Sequence, residues 1–200
     1  MFDFLKKKAT PFQLAAYIVM ETSNYSSGLE DSVNKFLNDS PSFSRYRNRM
    51  LDEIQWVIVA CGVIAVRLLT EHTRARTTIG EILKAYRLIH ENNNQKTVFT
   101  PMFLDSLNDR LDNYMVRFNR GATMRDPNQF TLKEGLVDVA NESMKYITGE
   151  TRSTDLTDWD DLLTVQARTQ EPDALEFFVR NVIQQFVNNF YEKFKNYKIV

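Results

Sequence analysis

Apolar residues recur along most of the chain at the spacing of one face of an α-helix. Leu107, Leu111, Tyr114 and Phe118 step by four, three and four residues, the rhythm of helices that pack nearly parallel. No stretch of comparable length alternates with the two-residue period of a strand. The pattern predicts helices near 11–22, 28–38, 41–71, 78–91, 101–120, 131–148, 156–169 and 172–197.

Predicted helix starts carry a hydroxyl residue three positions before Glu or Gln. In such a capping box the hydroxyl accepts the amide proton of the third helical residue, and the Glu or Gln accepts from the cap amide. Prolines at the first helical position and glycines just after a periodic stretch indicate the same boundaries. The boxes are Thr10–Gln13, Ser27–Glu30, Thr78–Glu81 and Thr131–Glu134; the prolines are Pro11, Pro41, Pro101 and Pro172; the glycines are Gly121 and Gly149.

The segment Trp56–Val66 contains only apolar residues. It is too short to span a bilayer, which takes about 20 apolar residues, and too long for a typical strand of about 5–6 residues. A segment that is apolar on every side then has to be surrounded by protein. We therefore predict an all-α, single-domain bundle of about seven to nine helices with the fully apolar part of Ile54–Leu69 at its centre. Its small residues, which would allow close helix approach, are Ala60, Cys61, Gly62 and Ala65.

Length and cysteine content limit the domain organisation and the compartment. A chain of 200 residues fits one domain, and any weak subdivision would fall near 120–130 or 149–155, the longest predicted loops. Cys61 is the only cysteine, so no intramolecular disulfide forms and a reducing compartment is allowed. Lys6–Lys8 precede an apolar stretch, as in a signal peptide, but no small-residue cleavage site follows. We expect a cytoplasmic protein without a membrane span.

Charge argues against a broad nucleic-acid-binding or membrane-binding surface. The chain has 25 basic and 26 acidic residues, a formal net charge of −1. Arg45, Arg47 and Arg49 still leave nucleic-acid binding as an alternative, because arginine binds phosphate bidentately. Glu53 lies one helical turn after Arg49, so a solvated ion pair is the simpler interpretation of that arginine.

Two rows of carboxylates on predicted helices form the candidate metal site. Acids three or four residues apart share one helix face, and two facing rows could hold Mg²⁺ in an all-α phosphohydrolase. Solvated acids at this spacing cost only about 0.2–0.5 kcal/mol per pair, so a wet polar face is the simpler interpretation. The two histidines, His72 and His90, belong to no metal-binding or catalytic motif. The candidate ligands are Asp105, Asp109 and Asp112 in one row and Glu134, Asp138 and Glu142 in the other.

The last predicted helix mixes a wide apolar stripe with aromatic residues and lysines. Phe186, Phe190 and Phe194 repeat every four residues, with Tyr191 and Tyr197 nearby. Large aromatic surfaces seldom stay exposed on a monomer, so part of this helix is expected to bind a partner or a second copy. Since no catalytic constellation is recognised and no cofactor is indicated, the preferred hypothesis is a non-enzymatic interaction protein that self-associates through its C-terminal helix.

Overall fold

Seven helices contain most of the residues that the computed structural model describes, which are 7–92, 101–123, 132–149 and 174–200. They form a single bundle, so the predicted all-α class is confirmed. Two three-residue strands accompany the helices. In chain order the elements are β1 (Lys7–Ala9), α1 (Pro11–Asp39), a 3-10 helix (Pro41–Tyr46), α2 (Arg47–Leu69), α3 (His72–Asn92), α4 (Pro101–Thr123), α5 (Leu132–Thr148), α6 (Ala174–Phe194) and β2 (Tyr197–Ile199).

Helix α1 begins with the predicted capping box and then runs further than predicted. The Gln13 amide donates to Thr10 Oγ1 at 3.3 Å, and the Thr10 amide donates to Gln13 Oε1 at 2.9 Å. The predicted second start at Ser27–Glu30 is wrong, because α1 continues to Asp39. One buried apolar face, which includes Ile18 and Leu29, runs through both halves and keeps the helix continuous.

The helix start predicted from the capping box Thr78–Glu81 is also wrong. Helix α3 already begins at His72, and the buried Thr78 hydroxyl donates to the Arg74 carbonyl at 2.9 Å. A threonine can satisfy its hydroxyl on the preceding turn in this way, so it needs no cap position. The predicted helix 41–71 is likewise divided into the 3-10 helix, which begins at Pro41, and α2.

The two predicted C-terminal glycines behave differently. Gly149 has φ 75° and its amide donates to the Lys145 carbonyl at 2.9 Å, so it ends α5 as predicted. Gly121 lies inside α4, which continues to Thr123, so its predicted role is wrong. Several predicted features lie outside the described residues. They are the helix 156–169, Pro172, Thr131 and most of the two loops, 120–130 and 149–155, at which a subdivision was expected.

Helix α2 packs against α1, α3, α4, α5 and α6. Every residue from Val57 to Val66 is buried. At Gly62 the helix lies so close to α1 that an added Cβ would be 2.5 Å from an Ile18 side-chain carbon. On another side, the Cys61 thiol donates to the Ile183 carbonyl of α6 at 3.7 Å. Within the described parts of the chain, no helix has both the length and the apolarity needed to cross a membrane.

Aromatic side chains form the contact between α1 and α6. Tyr17 makes edge-to-face contacts with Phe190 and Phe194, with ring centroids 6.3 and 5.8 Å apart. Further along, Tyr25 lies against Phe186 with centroids 4.4 Å apart, an edge-to-face geometry that adds to area burial. The apolar stripe of α6 is therefore buried within the chain along its whole length. Its buried residues are Leu175, Val179, Val182, Ile183, Phe186, Val187, Phe190 and Phe194.

The strands β1 and β2 join residues that are far apart in sequence. They pair in parallel, with Lys7 opposite Tyr197 and Ala9 opposite Ile199. The Val200 amide extends the pairing by donating to the Ala9 carbonyl at 3.0 Å. This pair was not predicted, and it ends the last helix at Phe194 rather than at residue 197.

Candidate functional site

Charged and phenolic side chains from three helices meet between α2, α4 and α5, where three of them are buried and three are partly exposed. We refer to them as the polar cluster. Its centre is Glu53, which lies on the apolar face of α2 between the buried Met50 and Val57, and its side chain is 5% exposed. The members of the polar cluster are Glu53, Arg110, Tyr114, Arg117, Glu142 and Tyr146.

Both oxygens of the Glu53 carboxylate are engaged by side chains of α4. Arg110 donates from Nη1 to Glu53 Oε2 at 2.7 Å, and the Tyr114 hydroxyl donates to Oε1. Arg110 and Tyr114 are four residues apart, so α4 presents them on one face. Because the guanidinium is only partly exposed, this pair is screened less by solvent than a surface ion pair.

The second carboxylate of the cluster belongs to α5. Glu142, whose side chain is 8% exposed, pairs with Arg117 Nε at 3.1 Å and lies 3.9 Å from Lys145 Nζ. The Arg110 guanidinium carbon lies 3.3 Å from the centre of the Tyr146 ring, a cation–π contact. Tyr146 also hydrogen-bonds to Glu142, so its side chain links the two ion pairs. The cluster therefore contains two carboxylates and two guanidiniums, with the Lys145 ammonium beside Glu142.

Burial governs the proton affinity of Glu53. It raises the pKa of this carboxyl to about 7, and the negative charge of Glu142 contributes in the same direction. The Tyr114 hydrogen bond and the Arg110 charge oppose the rise without cancelling it. Burial also raises the pKa of Tyr114 well above its usual range, and the adjacent Glu53 charge reinforces this, so the phenol keeps its proton and serves as a donor.

The geometry of Glu53 suits a pH-sensitive contact between α2 and α4 better than a catalytic acid or base. A general acid or base has to reach a substrate atom, whereas both Glu53 oxygens already contact protein donors in the interior. Ser143 is also buried; it lies close enough to lower the pKa of Tyr114, although its Oγ makes no hydrogen bond of normal geometry to the described residues.

Sequence reasoning assigned Glu53 to a solvated pair with Arg49 and so missed the cluster. The structure corrects this: Glu53 pairs with Arg110 on another helix. A signal was present, because an acid between Met50 and Val57 interrupts an otherwise apolar face. What the sequence lacked was the partner, which lies 57 residues further along the chain.

The described members of the two predicted carboxylate rows differ in solvent exposure. Asp109 and Asp112 are exposed, Asp138 is half-buried and Glu142 is in the polar cluster. The side chains of Asp105 and Glu134 lie outside the described residues. Among the side chains that are described, no group of three or more His, Cys, Asp or Glu is placed to hold a metal ion. The Mg²⁺ site over all six residues stays a prediction.

The three arginines proposed for nucleic-acid binding have separate surroundings. Arg47 pairs with Glu30 and donates from Nε to Asn34 Oδ1 at 2.9 Å. Arg45 lies over the Tyr46 ring at 4.6 Å. An added Cβ at Gly149 would be 3.3 Å from Arg49 Nη1, so this guanidinium lies at the end of α5. Nucleic-acid binding by this set stays a prediction.

The outer face of α6 has no charged side chain over three turns. Residues 181–191 contain no Asp, Glu, Lys or Arg, although a chain that is 26% charged would average about three in eleven residues. Five exposed residues form a line along this face, spaced by four, three, four and three, and we call them the outer stripe. They are Phe177, Asn181, Gln184, Asn188 and Tyr191.

The two ends of the outer stripe are aromatic. Phe177 is 59% exposed and Tyr191 is 37% exposed, and both are on the side of α6 that faces away from the buried stripe. Between them the exposed groups are amides, and Gln184 donates to Asn188 at 3.1 Å.

Comparison of the chain with protein-family models, curated proteins and solved structures finds no match.

Proposed function

We propose that this protein is a non-enzymatic interaction protein that self-associates through α6. The surface used is the outer stripe, because the apolar stripe that first suggested a partner is buried within the chain. The proposal keeps the expected cytoplasmic location, which suits a chain whose single cysteine is a buried free thiol.

The observation that supports this proposal is the absence of charge from Asn181 to Tyr191, which covers most of the outer stripe, together with an aromatic residue at each end of the stripe. Arg180, which lies one turn from Phe177, pairs with Glu176. Interface cores are depleted of charged side chains and enriched in aromatic residues relative to the rest of a protein surface. Amide side chains both donate and accept, so they hydrogen-bond to a similar surface without needing an opposite charge. A solvated helix face normally carries lysine, glutamate or arginine instead.

The predicted association is weak and reversible. The outer stripe spans 14 residue steps, about 21 Å of helix. A contact of one helix with one helix over this length falls at the small end of the interface range, below about 1,200 Å² in total. We therefore expect a monomer–dimer equilibrium in the micromolar range or weaker, rather than an obligate dimer.

Sedimentation equilibrium of the full chain over a range of concentrations tests the proposal. Gln184→Lys places a charge at the middle of the outer stripe and should weaken dimerisation at least about tenfold, because a desolvated unpaired charge is costly. The matched control is Val116→Lys on α4, since Val116 is 64% exposed and lies on a different helix. A chain that is monomeric at every concentration, or a dimer that only Val116→Lys weakens, would contradict the proposal.

A further inference from the structure

The outer stripe is self-complementary under a two-fold rotation. From one end to the other its residue types are aromatic, amide, amide, amide and aromatic, with Gln184 in the middle. Phe177 and Tyr191 are each seven residues from Gln184. A helix face with this arrangement presents the same sequence of chemical types in both directions.

Resting on the proposed self-association, we infer that two copies pair through antiparallel α6 helices with the two-fold axis near Gln184. In this arrangement Phe177 of each copy lies beside Tyr191 of the other, so both ends of the contact are closed by an aromatic pair. The amides of Asn181, Gln184 and Asn188 meet amides of the second copy and exchange hydrogen bonds at the centre.

A two-fold dimer uses the same surface of both copies, so no surface remains for further association. The same patch occupies both sides of such an isologous contact, so association ends at the dimer. A parallel pair would leave Phe177 facing Phe177 and would align the two α6 macrodipoles in the same direction, whereas the antiparallel pair opposes them. The absence of charge from Asn181 to Tyr191 means that neither copy has to desolvate an ion near the axis.

Cross-linking of single-cysteine additions to the full chain distinguishes these arrangements. The native thiol does not interfere, because Cys61 is buried. With the axis near Gln184, two Gln184→Cys side chains are separated by about the 8–10 Å between packed helices. Two Phe177→Cys side chains are then about 21 Å apart along the helix axis, beyond the reach of a short bis-maleimide.

The expected result is efficient dimer formation by Gln184→Cys, with a yield at least about tenfold above that of Phe177→Cys. A mixture of Phe177→Cys and Tyr191→Cys should give a cross-linked heterodimer, while neither variant should cross-link to itself. Dimers of each variant are verified by sedimentation before the reagent is added, and the unmodified chain is the control for Cys61.

Each other outcome identifies what has failed. Self-cross-linking of Phe177→Cys as efficient as that of Gln184→Cys would show a parallel pair and overturn the inference, while leaving self-association intact. A dimer that cross-links at none of the three positions would place the contact on another surface. A chain that remains monomeric would overturn the proposed function and this inference together.

Discussion

Glu53 is the residue at which burial and charge conflict most directly. Its carboxylate lies in the interior, yet Arg110 and Tyr114 supply both oxygens with donors. Such partners compensate for part of the desolvation cost of a buried charge, but the pKa of about 7 indicates that the compensation is incomplete. The cluster thus joins α2, α4 and α5, and its contribution to stability depends on pH.

The stability of the protein should fall as pH rises through the range in which Glu53 ionises. Its pKa is raised from 4.5 to about 7 in the folded state, so between these values the folded chain holds a proton that the unfolded chain has released. Stability is therefore greatest below pH 4.5 for this group, declines as pH rises and reaches its lowest value above pH 7. The difference corresponds to at most about 3–4 kcal/mol.

Glu53→Gln should flatten this decline. Glutamine keeps an acceptor for the Tyr114 hydroxyl but has no proton to lose, so the measured free energy of unfolding in urea should change less between pH 5 and pH 8. The control is Glu30→Gln, which removes an exposed carboxylate that pairs with Arg47. A wild-type stability that increases between pH 5 and 8, with Glu53→Gln removing the increase, would show that the carboxylate is favoured in the interior instead.

Among the helices, local signals were reliable only where no tertiary contact competed with them. The box at Thr10 forms as predicted, because the chain before it leaves the helix direction as β1. The same spacing at Ser27 and Thr78 lies inside continuous helices, where a buried face is worth more than the roughly 1 kcal/mol of a cap. Helix positions were thus predictable from periodicity. The capping pattern identified some helix ends, such as those at Thr10 and Gly149, whereas others depended on packing that the pattern does not contain.

Close approach of α4 and α5 depends on Gly135. An added Cβ there would lie 2.8 Å from the Phe118 carbonyl oxygen, which belongs to the backbone of α4 and has little freedom to move. Gly135→Ala should therefore lower the free energy of unfolding by about 1–3 kcal/mol, the usual cost of overpacking.

Gly80→Ala is the matched control for this substitution. Gly80 also lies inside a helix, α3, but an added Cβ there would meet nothing within 4 Å. The alanine should stabilise the protein by about 0.5–1 kcal/mol, because it lowers the entropy lost on folding. Urea unfolding measures the free energy of unfolding of both variants. Equal changes from the two substitutions would mean that α4 and α5 are not in close contact at Gly135.

At the scale of the whole molecule, the features that could not be predicted are those that join distant parts of the sequence. The polar cluster unites residue 53 with residues 110–146, and β1 pairs with a strand about 190 residues away. Three-residue strands carry no periodicity long enough to recognise. Their pairing becomes favourable only once the helix packing has brought α1 and α6 together.

The pairing of β1 with β2 should then depend on the helical core beneath it. Ile199 packs against the core and lies opposite Ala9, which is buried, whereas the neighbouring Lys198 is exposed. Ile199→Ser removes a partly buried side chain and should lower the free energy of unfolding by about 1–2 kcal/mol. Lys198→Ser leaves the same backbone pairing and should change it by less than about 0.5 kcal/mol.

Amide hydrogen exchange gives the local measurement. The Val200 amide, which donates to the Ala9 carbonyl, should exchange faster in Ile199→Ser than in Lys198→Ser, because the side chain that holds β2 against the core is lost. The amides of α2 should remain protected in both variants, since α2 packs against five other helices. Equal exchange at Val200 in the two variants would show that the strand pair is held by its backbone hydrogen bonds alone, independently of the core.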